Sequence, residues 1–159
     1  MNNLIIKIVL ILSVGIFLVN CGFKTINNSY TNQVKIEEIE TEGDSRVNIK
    51  IKDFLYLKSQ RDTNKFVKIF IKSTKEKTIA EKNSKNKITK YKIKILTEVK
   101  YEEINNSKEG FFQINESRVF NVVDNNLKNF DTEKREIDTL SKIIAKEIYN
   151  ILQLNFNDY

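Results

Sequence analysis

Apolar and polar positions alternate along this chain with a changing period, and the period assigns most of the elements. Residues Ile8 to Val19 form an unbroken apolar and small-residue run of twelve. A membrane-spanning helix needs ~20 such residues and a secretory core only ~7–15, so the run reads as an export signal. Phe23 to Asn32 is polar and aperiodic, a tether ahead of a folded domain. Val34, Lys35, Ile36 and Glu37 alternate, with Ile39 shortly beyond, as in a first strand with one buried face. Thr41 to Ser45 breaks that pattern, and Asp44 or Ser45 can cap a helix by accepting hydrogen bonds from free amides. Val47, Ile51, Phe54, Leu55 and Lys58 then share a helical face, with Ile49 and Leu57 off it. The spacing predicts a helix over 45–59, although Val47, Ile49 and Ile51 alone also fit a strand.

Lys65 to Ser73 is β-branched and aromatic on both faces, which suits a central second strand. Thr74 to Lys85 is strongly charged and reads as an exposed loop or a frayed edge. The clearest element is Lys87 to Glu103. There Tyr91, Ile93, Ile95, Thr97, Val99 and Tyr101 hold one parity, and Lys90, Lys92, Lys94, Glu98, Lys100 and Glu102 most of the other. Residues 105–110 form a hairpin loop, and 111–123 return as the partner strand with Phe112, Ile114, Phe120 and Val122 in phase. Glu116 and Arg118 interrupt that phase, predicting a bulge or an exposed edge. A last helix over 132–154, capped by Asp131 or Thr132, carries the stripe Ile137, Leu140, Ile144, Ile148 and Ile151, widened by Ile143, Leu152 and Leu154.

The elements make an α/β (α+β) fold, two helices on one face of a small four-stranded sheet, because each amphipathic element needs a partner. The expected layout is a leader over 1–20, a tether over 21–32, one domain over 33–155 and a tail over 156–159.

Composition then removes whole classes of chemistry. There is no histidine and one cysteine, Cys21, so a Ser-His-Asp triad, a Cys-His pair and a His-based zinc site are all excluded. No catalytic residue, metal or cofactor is expected. Glu98 and Glu102 share a strand face but stand roughly 13 Å apart by strand rise, too far for paired-carboxylate hydrolysis. Lysine and arginine total 27 for a net charge of +6, with only Arg46, Arg61, Arg118 and Arg135 as arginines. A lysine-loaded surface serves solubility, or it serves an anionic ligand. For an exported chain lipid phosphates are the fitting anions, and nucleic acid is not an expected partner.

Leu18-Val19-Asn20-Cys21 resembles the lipobox of bacterial lipoproteins, with Asn20 where Gly, Ala or Ser is commoner. The resemblance implies that Cys21 is the lipid-attachment site and becomes the first mature residue. Each buried methylene adds ~0.8 kcal/mol, so a multiply acylated Cys21 is a near-permanent tether. Gly22, and not Asp, follows, which in the sorting rule of Gram-negative lipoproteins points to the periplasmic leaflet of the outer membrane. The Cys21-Gly22-Phe23 start resembles the LPS-assembly lipoproteins of the LptE type, in particular their alphaproteobacterial branch. So do Asn86 to Tyr91, entering the long strand, and Leu140 to Ile148 in the last helix. Lys24-Thr25-Ile26 departs from the Pro-Leu-Tyr that often trails the cysteine motif. What the resemblance implies is a non-enzymatic plug and assembly partner for an LptD-type outer-membrane β-barrel, acting in lipopolysaccharide transport. Lys90, Lys92 and Lys94 would then meet lipopolysaccharide phosphates, as a row of ammonium groups ~7 Å apart. The same row also fits a solvated face that discourages edge pairing.

Overall fold

The computed structural model describes residues 34–59, 63, 65–106 and 108–156; Cys21 and the leader and tether assignments lie outside them. Six elements follow one another: β1 (Val34–Gly43), α1 (Ser45–Lys58), β2 (Lys65–Lys82), β3 (Ile88–Glu103), β4 (Glu109–Asn121) and α2 (Asn126–Asn155). The strands lie in the order β1-β2-β3-β4, the first pair parallel and the others antiparallel. Two helices on one face of a four-stranded sheet is the expected architecture.

The first strand is longer than its alternation suggested. A register shift between Ile36 and Glu38 puts an extra residue in β1, so Ile36 and Ile39 both face the core although three positions apart. A parallel pair needs a crossover, and α1 supplies it by burying Val47, Ile51 and Leu55. Its far end is tied back where Ser59 Oγ accepts from the Ile36 amide at 2.8 Å. Ile49 and Leu57 stand off the buried face, 57% and 85% exposed, which settles the helix-or-strand ambiguity of that segment.

Asp44 is the cap, accepting from the Val47 amide at 3.0 Å while its carboxylate meets Lys75 Nζ at 2.8 Å. Burial pushes the Asp44 carboxyl up, but the Lys75 ammonium and the Val47 amide outweigh it and hold the group below its ordinary value of 3.8. A depressed carboxylate stabilises the fold fully above that value, and the contribution is lost as pH falls through the folded value. Asp44→Ala is expected to cost about 1 kcal/mol at neutral pH. Urea midpoints measured at pH 7 and near pH 3 should show the gap to wild type shrinking on acidification; a gap that stays constant removes the charge from the explanation.

Several bounds and positions differ from those expected. Thr74 to Lys82 is the outer half of β2, paired with β3 as far as Lys82↔Ile88. Its charges are tolerated because neither helix covers most of this overhang, so burial selects nothing there, while ladder hydrogen bonds still form. The last helix begins at Asn126, capped by Asn125, whose side chain accepts from the Lys128 amide at 3.0 Å. Asp131 and Thr132 are therefore interior residues, and Asn129 also braces the entry by bonding both the N–H and the C=O of Val123. Ile143 and Leu154 are 42% and 63% exposed, so of the three widening residues only Leu152 joins the core. Phe156, assigned to the tail, is buried and meets the Tyr101 ring edge-on at 5.5 Å. Of the two readings of the Glu116–Arg118 interruption, the exposed edge holds and the bulge does not: β4 pairs continuously with β3 and forms the sheet edge, with Arg118 reaching Glu136 of α2 at 3.2 Å.

Candidate binding face

Because successive strand residues point to opposite faces, covering one face with α1 and α2 leaves the other open. On β3 this open face carries Lys90, Lys92, Lys94, Leu96, Glu98, Lys100 and Glu102, the parity opposite to buried Ile93, Ile95, Thr97, Val99 and Tyr101. Tyr91 packs at the margin of the core, 6.0 Å from Phe120, with Lys77 Nζ over its ring at 4.3 Å. The alternation thus sorts lysine and tyrosine to the sides expected.

Register turns the open face into rows across the sheet. Near the chain entry, Glu38, Lys68, Glu102 and Glu109 lie side by side, then Glu40, Phe70, Lys100 and Phe111, then Glu42, Lys72, Glu98 and Gln113. Charges here cancel locally: Lys68 meets Glu38 at 3.1 Å and Lys72 meets Glu42 at 2.8 Å, and each carboxylate holds its lysine's pKa above the ordinary value. A shallow depression of about 620 Å³ opens in this region, with Phe70, Lys100 and half-exposed Phe111 in its floor and Glu38, Glu40 and Glu109 around it.

Further along, the balance reverses. Residues 76–94 contain seven lysines and two glutamates, whereas β1 contains four glutamates and one lysine. The positive field of the sheet is therefore concentrated at the β2–β3 tip. The tip itself closes through Asn83, whose side chain accepts from the Lys85 and Lys87 amides, and through Asn86 at φ 59°.

The three lysines singled out from the sequence do not behave alike. Lys90 is bound to Glu81 at 2.5 Å, and this ammonium together with Thr89 Oγ1 holds the Glu81 carboxyl below its usual value. Lys92 sits between Thr78 and Val119, and Lys94 between Glu76 and Ser117; among the described residues neither makes an ion pair. Lys92 and Lys94 are thus the ones left to meet an external anion. Sequence reasoning missed the neutralising partner Glu81 because its segment read as a loop. The depression was missed too, since it depends on which strands lie side by side. It stands apart from the lysine row: Lys100 is six residues from Lys94, ~20 Å along the strand.

No family model matches the chain, and no curated protein does. The fold does have solved counterparts. Rare lipoprotein B from Shewanella oneidensis superposes with a TM-score of 0.56 at 9% identity, over 74% of this chain and 95% of that one. Lipoprotein B from Nitrosomonas europaea gives 0.52 at 9% identity, over 74% and 83%. At such identities the likeness is one of fold.

Proposed function

We infer that this chain is an outer-membrane lipoprotein, acylated at Cys21, that works with an LptD-type β-barrel as plug and assembly partner in lipopolysaccharide transport. The observation that carries the reading is the fold it shares with rare lipoprotein B, reached independently of the Leu18 to Cys21 motif. Two unrelated features, a lipidation signal and a domain architecture, thereby converge. The role is one of binding and scaffolding, with no bond made or broken, which suits a chain without histidine. The lipid holds the domain to the periplasmic leaflet, and Lys92 and Lys94 offer ammonium groups to lipopolysaccharide phosphates while Lys90 stays engaged with Glu81.

The test is affinity purification from envelopes, with the unmodified chain, a Cys21→Ala variant and a Lys92→Glu/Lys94→Glu variant in parallel. A large β-barrel should come down in stoichiometric amount with the unmodified chain and, after detergent extraction, with Cys21→Ala, whose membrane retention is altered. The charge-reversed variant should keep the barrel and lose most co-purifying lipopolysaccharide. Recovery of a different envelope protein in place of a barrel would make the chain a scaffold for another partner.

A further inference from the structure

The two edges of the sheet are not alike. The β1 edge is blunted by the register shift at Glu37, by Ser59 Oγ occupying the Ile36 amide, and by glutamates along the strand. The β4 edge has no register shift, and its charges are Glu109, Glu116 and Arg118, the last two of opposite sign and on the helix-bearing face. Its ladder with β3 runs unbroken from Lys90↔Asn121 to Glu102↔Glu109, and the strand contains no proline and no lysine. A long, regular edge of this kind is a template for another strand.

The residues of β4 also indicate which strand fits. When β4 is laid antiparallel against a copy of itself about Ser117, Glu116 falls opposite Arg118, and Ile114 opposite Phe120, each pair occurring twice. These four residues share the helix-bearing face, where Ile114 and Phe120 are already buried. On the other face Gln113 falls opposite Asn121 and Asn115 opposite Val119. Centring the pair on Glu116 or Arg118 would set like charges against each other, so charge selects this register. The layers agree as well. Strands repeat every ~4.8 Å and packed helices every ~8–10 Å, so two helices per four strands continue across the junction without gap or overlap. Glu136 marks the α2 flank nearest this edge through its contact with Arg118, and Ile143, two turns further on, leaves that flank partly apolar and 42% exposed.

We propose that the β4 edge is a self-association surface, where a second copy of this chain pairs antiparallel about Ser117 and extends the sheet to eight strands. The inference does not depend on the barrel reading, and either can fail alone.

Site-directed disulfide trapping tests it, using the full chain in detergent with Cys21→Ala as background. Ser117→Cys should oxidise readily to a covalent dimer. Asn115→Cys and Val119→Cys should stay monomeric separately and cross-link when mixed, because each faces the other across the axis. In the Ser117→Cys background, Arg118→Glu should lower the trapped fraction roughly tenfold by opposing like charges twice, and adding Glu116→Arg should restore it. Circular dichroism melts confirm that each variant is folded. The proposal is overturned by a folded Ser117→Cys chain that cross-links no faster than Asn115→Cys alone, by failure of the second charge reversal to rescue, or by trapping of a foreign protein with no homodimer.

Discussion

Gly43→Ala is expected to lower the unfolding free energy by roughly 2–4 kcal/mol, more than any surface change in the molecule. Gly43 closes β1 at φ 95°, where L side chains are strained. A Cβ there would lie 2.0 Å from the Ser73 carbonyl oxygen and 3.0 Å from its carbon. Neither atom can move cheaply, because Ser73 is the last rung of the β1–β2 ladder, and its carbonyl accepts from the Asp44 amide at 3.0 Å. Displacing it would disturb the parallel pair and the cap of α1 together. Urea unfolding followed by circular dichroism measures the effect, and an unchanged midpoint would show that the β1–α1 corner relaxes in a way this geometry does not allow.

The second large effect separates two neighbours. Ile144→Ala should cost roughly 2–5 kcal/mol, while Ile143→Ala should cost less than about 1 kcal/mol. Ile144 is fully enclosed with Leu140, Ile148 and the strand residues Ile93 and Ile95, so truncation leaves a cavity lined by atoms that cannot close on it. Ile143, one residue earlier, already faces solvent. Equal losses at both positions would mean that the α2 surface carrying Ile143 is covered in solution, as pairing at the β4 edge would partly achieve. Comparing the two variants at high and low protein concentration distinguishes that case, since stabilisation by association follows mass action.

How far the sequence could be read depended on where burial did the selecting. β3 was legible because a helix-covered face and an open face impose opposite chemistry on alternate residues. The interior of α2 was legible because the core accepts only the Ile137, Leu140, Ile144, Ile148 spacing. Outer β2 was not, since a strand exposed on both sides shows no alternation and is held by hydrogen bonds that any residue with an N–H can make. The early start of α2 was hidden for a related reason. Leu127 and Phe130 overhang the core, 78% and 63% exposed, so no buried stripe announces the first turns, and only Asn125 marks the cap.

For the candidate face, local sequence determined the lysine row and its separation from the core, because side-chain direction along a strand is a two-residue property. The chain's exclusion from histidine chemistry was likewise a matter of composition. Only the tertiary structure decided that Glu81 occupies Lys90, that Lys92 and Lys94 stay unpaired among the described residues, and that Phe70, Lys100 and Phe111 share a floor. Such relations join residues far apart in the chain through strand order and register. Those are fixed by the burial of whole faces at once, and no local window of sequence contains that information.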